Sequence, residues 1–146
     1  MFLQNRKAFT MLELVFVIVI IGVLSAIAIP KFDATAKMAQ MSKGKNTLSI
    51  VRSAIATERQ KSILRGTGST TISIYNAPGR VFTRFTDENG TRILDNDLPD
   101  CTEIGCWHAT NNLIYAFYTD GSNCIYKLVN NRFEDNTTGG CTELED

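Results

Sequence analysis

The sequence predicts an α+β protein, with a long N-terminal helix (transmembrane first half, amphipathic second half) packed on a small antiparallel β-sheet head. Three observations carry this prediction. An apolar run of the length that spans a bilayer lies near the N-terminus, a helical spacing of apolar residues follows it, and the rest of the chain is rich in short alternating segments and turns. A helix followed by strands is the order typical of α+β folds, and 146 residues leave room for one modest domain beside the helix.

The apolar run extends from Phe9 to Ile29 and is interrupted only by Thr10, Glu13 and Ser25. Burying a carboxylate at membrane depth costs about 2.5–3.5 kcal/mol on insertion scales, so intramembrane acids usually have a partner and a role. The run contains no basic residue. A partner for Glu13 must therefore come from another chain, a free amino terminus or the membrane interface.

This stretch closely resembles the amino-terminal segment of type IV pilins and of the pseudopilins of type II secretion and DNA-uptake systems. Precursors in that family carry a short basic leader, a small residue, then Phe-Thr-Leu-x-Glu and an apolar run ending in Pro. The matching residues here are Arg6-Lys7-Ala8, then Phe9-Thr10-Met11-Leu12-Glu13-Leu14, then the run to Pro30. The departure is Ala8, where the family usually has Gly.

The resemblance implies that a prepilin peptidase cleaves between Ala8 and Phe9 and methylates the new amino group of Phe9. It also implies that Glu13 recruits the subunit into a filament by pairing with the amino terminus of a neighbour. The implied partners are like or related subunits, the peptidase, and an inner-membrane platform with its motor ATPase. The chain itself shows no nucleotide-binding motif, so the motor would supply the energy.

Four segments are expected: a leader at 1–8, a transmembrane and assembly helix at 9–30, an amphipathic helix at 31–65, and a β-rich periplasmic or extracellular head at 66–146. Two basic residues of the leader precede the apolar run. By the positive-inside tendency, the leader lies in the cytoplasm and the head lies on the other side of the membrane. The resemblance implies a single-pass protein of the bacterial inner membrane with its head in the periplasm. It would then be extracted into a pilus or pseudopilus.

Beyond Pro30 the helical pattern continues, and Pro30 itself is expected to kink or interrupt the helix. Gly44 is expected to weaken its middle, and Gly66 to help end it. Basic residues outnumber acidic ones from Lys31 to Arg65, and the reverse holds from Gly66 onward. The apolar residues that recur on one helix face are Met38, Met41, Leu48, Val51 and Ile55.

In the head, alternation and turn residues predict strands. Strands are predicted at Thr70–Tyr75, Val81–Phe85, Leu113–Tyr118 and Cys124–Val129. The last two flank the turn Thr119–Asn123 and form the clearest hairpin of the chain. Asp95–Ala109 has no regular period and is expected to be a loop, and the tail from Asn130 is polar and Gly-rich.

Four cysteines, Cys101, Cys106, Cys124 and Cys141, all lie in the head. An even number of cysteines in an exported domain is typical of disulfides. Three pairings are possible, and we favour the most local one, Cys101–Cys106 with Cys124–Cys141. A zinc site is the alternative, although the spacings lack any C-x-x-C pair.

We assign no catalytic residues and expect no enzyme. His108 is the only histidine, and no Ser-His-Asp, Cys-His or H-E-x-x-H arrangement can be assembled. No metal ligands are assigned and no cofactor is expected. Calcium is the one alternative, because Asp95–Asp100 offers oxygen ligands at alternating positions; solvated loop carboxylates are the competing interpretation.

Two sequences, Asn89-Gly90-Thr91 and Asn136-Thr137-Thr138, match the N-x-T acceptor for N-glycosylation. Each has an acidic residue two positions earlier, Asp87 and Glu134. This five-residue pattern is similar to the acceptor sequence of the general N-glycosylation system of some Gram-negative bacteria. Asn89 and Asn136 are therefore candidate modification sites, the alternative being acidic, Thr-rich turns that produce the pattern without modification.

The first functional hypothesis is a structural subunit of a type IV pilus-like or type II secretion pseudopilus filament, serving protein secretion or DNA uptake. The second is a filament-associated module that binds DNA or secreted cargo, using basic residues of the helix. The third is a plain signal-anchored periplasmic protein. Glu13 argues against the third, because a simple anchor gains nothing from a membrane carboxylate.

Overall fold

The computed structural model describes residues 9–67, 71–86 and 89–145. These residues fall into two compact units, one up to Lys37 and one from Met38 onward. Within the described ranges a long helix is followed by short antiparallel strands and a short C-terminal helix, which confirms the predicted α+β class.

The long helix, α1, spans Met11–Leu64. Thr10 caps its N-terminus, because the Thr10 hydroxyl accepts a hydrogen bond from the backbone N–H of Glu13 at 3.2 Å. The helix runs through Pro30, so the expected interruption there is wrong. A proline removes one intrahelical hydrogen bond, and the bonds of the flanking turns keep the backbone helical. After α1, Gly66 adopts a φ of 74°, a left-handed conformation that glycine takes without strain.

The N-terminal unit consists of the first part of α1, and its apolar side chains are exposed. Its apolar window has no buried residue within the described chain, and by length and composition this is a helix that could cross a membrane. The large apolar side chains exposed here are Phe9, Met11, Leu12, Leu14, Val15, Phe16, Val17, Ile18, Val19, Ile20, Ile21, Val23, Leu24, Ile27, Ile29 and Phe32.

In the second unit one face of α1 packs against the head. Leu48, Val51 and Ile55 are buried and Met41 is partly buried, as the apolar spacing predicted. Met38 is 71% exposed, which corrects its assignment to the buried face. It lies at the very start of this unit, before the first helical residue that the head buries.

That first buried residue is Gly44, and its position has a steric reason. A Cβ atom added to Gly44 would lie 2.5 Å from Cζ of Phe117, well inside van der Waals contact. The glycine lets the helix backbone approach an aromatic ring, so its role is packing as well as the helix weakening that the sequence suggested.

The strands of the head form three antiparallel sheets within the described ranges. The strands are β1 Ile74–Tyr75, β2 Arg80–Val81, β3 Arg84–Phe85, β4 Leu98–Pro99, β5 Trp107–Ala109, β6 Ile114–Tyr118, β7 Asn123–Val129 and β8 Arg132–Asp135. Two small sheets pair β1 with β3 and β2 with β4, and the main sheet has the order β5-β6-β7-β8. A short helix, α2, spans Thr142–Glu145.

The predicted hairpin is confirmed as β6 and β7, whose register pairs Tyr115 with Tyr126. The segment Val81–Phe85 is not one strand, because the chain turns at Phe82 with a φ of 53°. That conformation is uncommon for a bulky residue, and here the ring is fully buried and stacks on Tyr115 with centroids 4.4 Å apart.

One other expectation needs correction. The region Asp95–Ala109 is not a structureless loop, since it contains β4 and β5. The tail beyond Asn130, for which the sequence analysis predicted no element, contains β8, which pairs with β7, and then α2. Strands of two to four residues are too short to show an alternating pattern. Of the predicted first strand, only Ile74–Tyr75 is extended and paired, and Thr70 lies outside the described residues.

Candidate assembly site

The first turn of α1 holds Glu13 in a position that the sequence analysis did not foresee. Thr10 at the N-cap and Glu13 three residues later form the T-x-x-E pattern of a capping box, and the Thr10 half of that box is present at 3.2 Å. A carboxylate near a helix N-terminus is also favoured by the helix dipole. The Glu13 side chain is exposed, and it makes no ion pair within the described residues.

The expected cleavage site lies directly before this turn. Phe9 precedes the N-cap and its side chain is 76% exposed. Ala8 and the rest of the leader lie outside the described residues. The amino group that cleavage would create on Phe9 is one helical turn away from Glu13 in the sequence, at the same end of the helix.

The head is bridged by two disulfides, the local pairs that the sequence analysis favoured. Cys101–Cys106 closes a short loop with its Cα atoms 5.6 Å apart, and Cys124–Cys141 joins β7 to the start of α2 with its Cα atoms 5.4 Å apart. All four cysteines are therefore engaged, and none is left to ligate zinc.

Arg52 on α1 binds two residues of the C-terminal segment through an ion pair and a hydrogen bond. Its Nη2 lies 2.5 Å from Oε1 of Glu145, and its Nε donates to the carbonyl of Phe133 at 3.1 Å. The guanidinium carbon also lies 5.7 Å from the ring centroid of Tyr126. Burial raises the pKa of Tyr126 well above 10, and the negative charges of Glu145 and Asp135 add to this.

Asp135 organises the turn between β8 and α2. Its Oδ1 accepts from the backbone N–H of Thr137 at 2.8 Å, and its Oδ2 accepts from the N–H of Cys141 at 2.7 Å. Burial alone would raise the pKa of Asp135. The hydrogen bonds from Thr137 and Cys141 and the charge of Arg52 outweigh it, so the pKa lies below its ordinary value.

We therefore expect Asp135→Asn to destabilise the head by on the order of 1–2 kcal/mol at pH 7, because a single amide oxygen replaces two charged acceptors. The Asp135 contribution is present above the unfolded-state pKa of about 4, and it is lost as pH falls through the lower folded-state pKa. Thermal unfolding of the full chain in detergent should show the difference at pH 7 and a smaller one near pH 2. Glu134→Gln, at the neighbouring exposed position, is the control and should change little at either pH.

Two carboxylates of the acidic segment considered for calcium are engaged with protein side chains. Oδ1 of Asp97 lies 2.8 Å from Arg92, and Oδ1 of Asp100 lies 2.7 Å from Nδ1 of His108. The sequence analysis found no catalytic arrangement for His108 and did not predict this pair. Within the described residues, no group of three or more His, Cys, Asp or Glu side chains is arranged to hold a metal ion.

Both candidate glycosylation residues lie on the surface of the head. Asn89 and Asn136 are exposed, as are the threonines two positions after them. Asn136 directly follows β8, and its backbone N–H bonds to the carbonyl of Ile125 at 2.7 Å, so its side chain is presented from an ordered backbone. Asp87, the acidic residue of the first pattern, lies outside the described residues.

Comparison with known proteins supports the interpretation of the N-terminal segment. The family described as "Prokaryotic N-terminal methylation motif" matches residues 3–29. The match covers the apolar N-terminal segment, on which the resemblance to type IV pilins rests.

A particular pilin gives the second match. The chain is 48% identical over 62 residues to "Type IV narrow pilus major component PilA5" of Thermus thermophilus, a match that covers 41% of this chain and 53% of that protein. The chain thus matches about half the length of this curated relative. No solved structure gives a significant match. The resemblance to type IV pilins drawn from the sequence is confirmed.

Proposed function

We propose that this chain is a structural subunit of a type IV pilus. The observation that carries the proposal is that the exposed apolar first part of α1 lies within the segment that matches the methylation motif, with one carboxylate, Glu13, in its first turn. An apolar helix surface of this extent needs either lipid or copies of itself to cover it. The relative is named as a major component of a pilus, which favours a pilus over a secretion pseudopilus.

The proposed cycle begins in the bacterial inner membrane, with the first part of α1 crossing the bilayer and the head in the periplasm. A prepilin peptidase removes residues 1–8 and methylates Phe9. The inner-membrane platform and its motor ATPase then extract the subunit, and Glu13 pairs with the amino terminus of a neighbouring subunit. DNA uptake or protein secretion are roles that such a filament would serve, with DNA or a secreted protein as the cargo.

Processing gives a test of the first step. The mature chain is expected to begin at methylated Phe9, as shown by the mass of its amino-terminal peptide. Ala8→Lys should leave the chain at its precursor mass, because a long charged side chain replaces the small residue at the scissile bond. A mature chain that begins after Ala28, or one that keeps Met1 in cells with an active peptidase, contradicts the proposal.

We also propose that Asn89 and Asn136 carry glycans when the host has a matching N-glycosylation system. Their exposure and the acidic residue two positions before each support the idea. Peptide masses of the secreted or filamentous protein should show glycan on both asparagines, and Asn89→Gln and Asn136→Gln should each remove one. Unmodified peptides from a host that glycosylates other proteins would refute the idea.

A further inference from the structure

An open groove of about 560 Å³ lies on the head between α1 and β8, the edge strand of the main sheet. Apolar residues line it: Ile55 and Phe133 are buried at its base, and Ile63 is 56% exposed. Arg59 on α1 and Arg132 on β8 are its two exposed arginines, called here the rim arginines. The groove thus offers apolar surface beside two exposed arginines.

The formal charges of the groove lining cancel, with three arginines against three acids, so the charge that a partner meets depends on which side chains are engaged elsewhere. Glu145 is paired with Arg52 at 2.5 Å. Glu134 lies directly opposite Lys127 in the register of β7 and β8, where opposite charges attract. The third acid of the groove, Asp135, accepts hydrogen bonds from the backbone N–H groups of Thr137 and Cys141. Neither rim arginine forms an ion pair within the described residues.

A second surface of the head has the opposite chemistry. The disulfide loop Cys101–Cys106 exposes Glu103 and Ile104 at its tip, and the Ile104 side chain is 46% exposed. Glu103 forms no ion pair in the described part of the chain. The disulfide and a hydrogen bond from Gly105 N–H to the Tyr118 carbonyl at 2.8 Å hold the loop. A loop fixed in this way loses little conformational entropy when it docks.

The loop and the groove lie at opposite ends of the part of α1 that packs against the head. A Cβ added to Gly105 would lie 2.8 Å from the side chain of Gln40, which places the loop near that turn of α1. The rim arginine Arg59 lies about 28 Å farther along the helix at about 1.5 Å per residue. The two surfaces therefore do not meet within one head.

We propose that the tip of the disulfide loop of one copy docks into the groove of the next copy. Ile104 lies on the apolar floor and Glu103 lies near the rim arginines. Because two different surfaces meet, the contact is head-to-tail, and its repetition gives an open array instead of a closed dimer. This inference rests on the proposed function, since filament assembly is what brings successive heads together.

Charge reversal tests the contact in the full chain expressed as the only copy. Glu103→Arg and Arg59→Glu should each lower the amount of chain recovered in sheared filaments about tenfold, because like charges then face each other. The double variant should recover most of the loss. Glu143→Arg, which reverses another exposed acidic side chain of the head, is the matched control and should assemble normally. Normal assembly of both single variants, or a double variant no better than either, overturns the docking.

Photo-cross-linking locates the partner directly. Benzoyl-phenylalanine placed at Ile104 should cross-link to peptides of a second copy that contain Arg59, Ile63 or Phe133, as read by mass spectrometry of sheared filaments. The same group at Leu113, another partly exposed aliphatic residue of the head, should not reach them. Cross-links to other surfaces or to another protein in intact filaments refute the docking and leave the pilus function standing. Processed chain that never enters filaments refutes the pilus function, and the docking with it.

Discussion

Gly44→Ala is expected to lower the melting temperature of the head by about 5–15 °C. The added methyl would lie 2.5 Å from Cζ of Phe117. The ring cannot move aside easily, because Phe117 is fully buried and its ring lies 5.1 Å from that of Trp107. Overpacking of this kind costs about 1–3 kcal/mol, and about 1 kcal/mol corresponds to about 4–8 °C in a domain of this size. The better helix propensity of Ala offsets part of the cost.

Two further variants separate this packing effect from a general effect on the helix. Gly22→Ala is the matched control, because nothing lies within 4 Å of the added Cβ, and head unfolding should not change. Gly44→Ala combined with Phe117→Leu should lose less stability than the two single changes added together, since the smaller side chain makes room for the methyl. A Gly44→Ala protein that unfolds at or above the wild-type temperature would show that the helix does not pack on Phe117 in this way.

Glu13→Leu is expected to abolish filament assembly while the protein still accumulates in the membrane. Removing a charge that is costly in lipid leaves insertion unchanged or better. In the filament, the same change leaves the amino terminus of a neighbour buried without its partner, and an unpaired buried charge is strongly destabilising. The measurement is the amount of chain in sheared filaments, relative to membrane, when the variant is the only copy and its cleavage has been confirmed.

A second substitution distinguishes intersubunit pairing from the local cap. Glutamine also serves at the third position of a capping box, so Glu13→Gln keeps the cap beside Thr10 and removes only the charge. If Glu13 acts through an ion pair, Glu13→Gln should fail to assemble as Glu13→Leu does. Normal filaments from Glu13→Gln would instead assign the residue to helix capping and remove its assembly role.

The sequence predicted secondary structure best where a periodic pattern of apolar residues extends over many positions. The helix from Met11 to Leu64 and the hairpin of β6 and β7 follow from extended periodic segments, and the positions of the cysteines allowed the two local pairings to be proposed. The strands of two to four residues were missed or merged, because pairing with a neighbour, and not local alternation, makes them extended. Phe82 shows this most clearly, since a buried ring determines a backbone conformation that local preference disfavours.

The candidate site was predicted in part. Glu13 and Phe9 are visible from the apolar run and its resemblance to pilins, whereas the Thr10 cap depends on where the helix begins. The contacts of Arg52 with Glu145 and Phe133 join residues far apart in sequence, so no local sequence pattern predicts them. The packing role of Gly44 was likewise not predictable from local sequence. Its composition indicated only a lower helix stability, whereas in the structure it is where α1 contacts the ring of Phe117.

The central claim is that this chain builds a filament through the first turn of α1. Electron cryomicroscopy of sheared filaments tests it most directly, through the distance between the Glu13 carboxylate of one subunit and the nearest amino terminus of another. We predict filaments made of this chain, with chains that begin at Phe9 and a carboxylate-to-amine distance of about 4 Å or less, as in an ion pair. Filaments in which every Glu13 lies far from a neighbour's amino terminus, or which lack this chain, would contradict the claim.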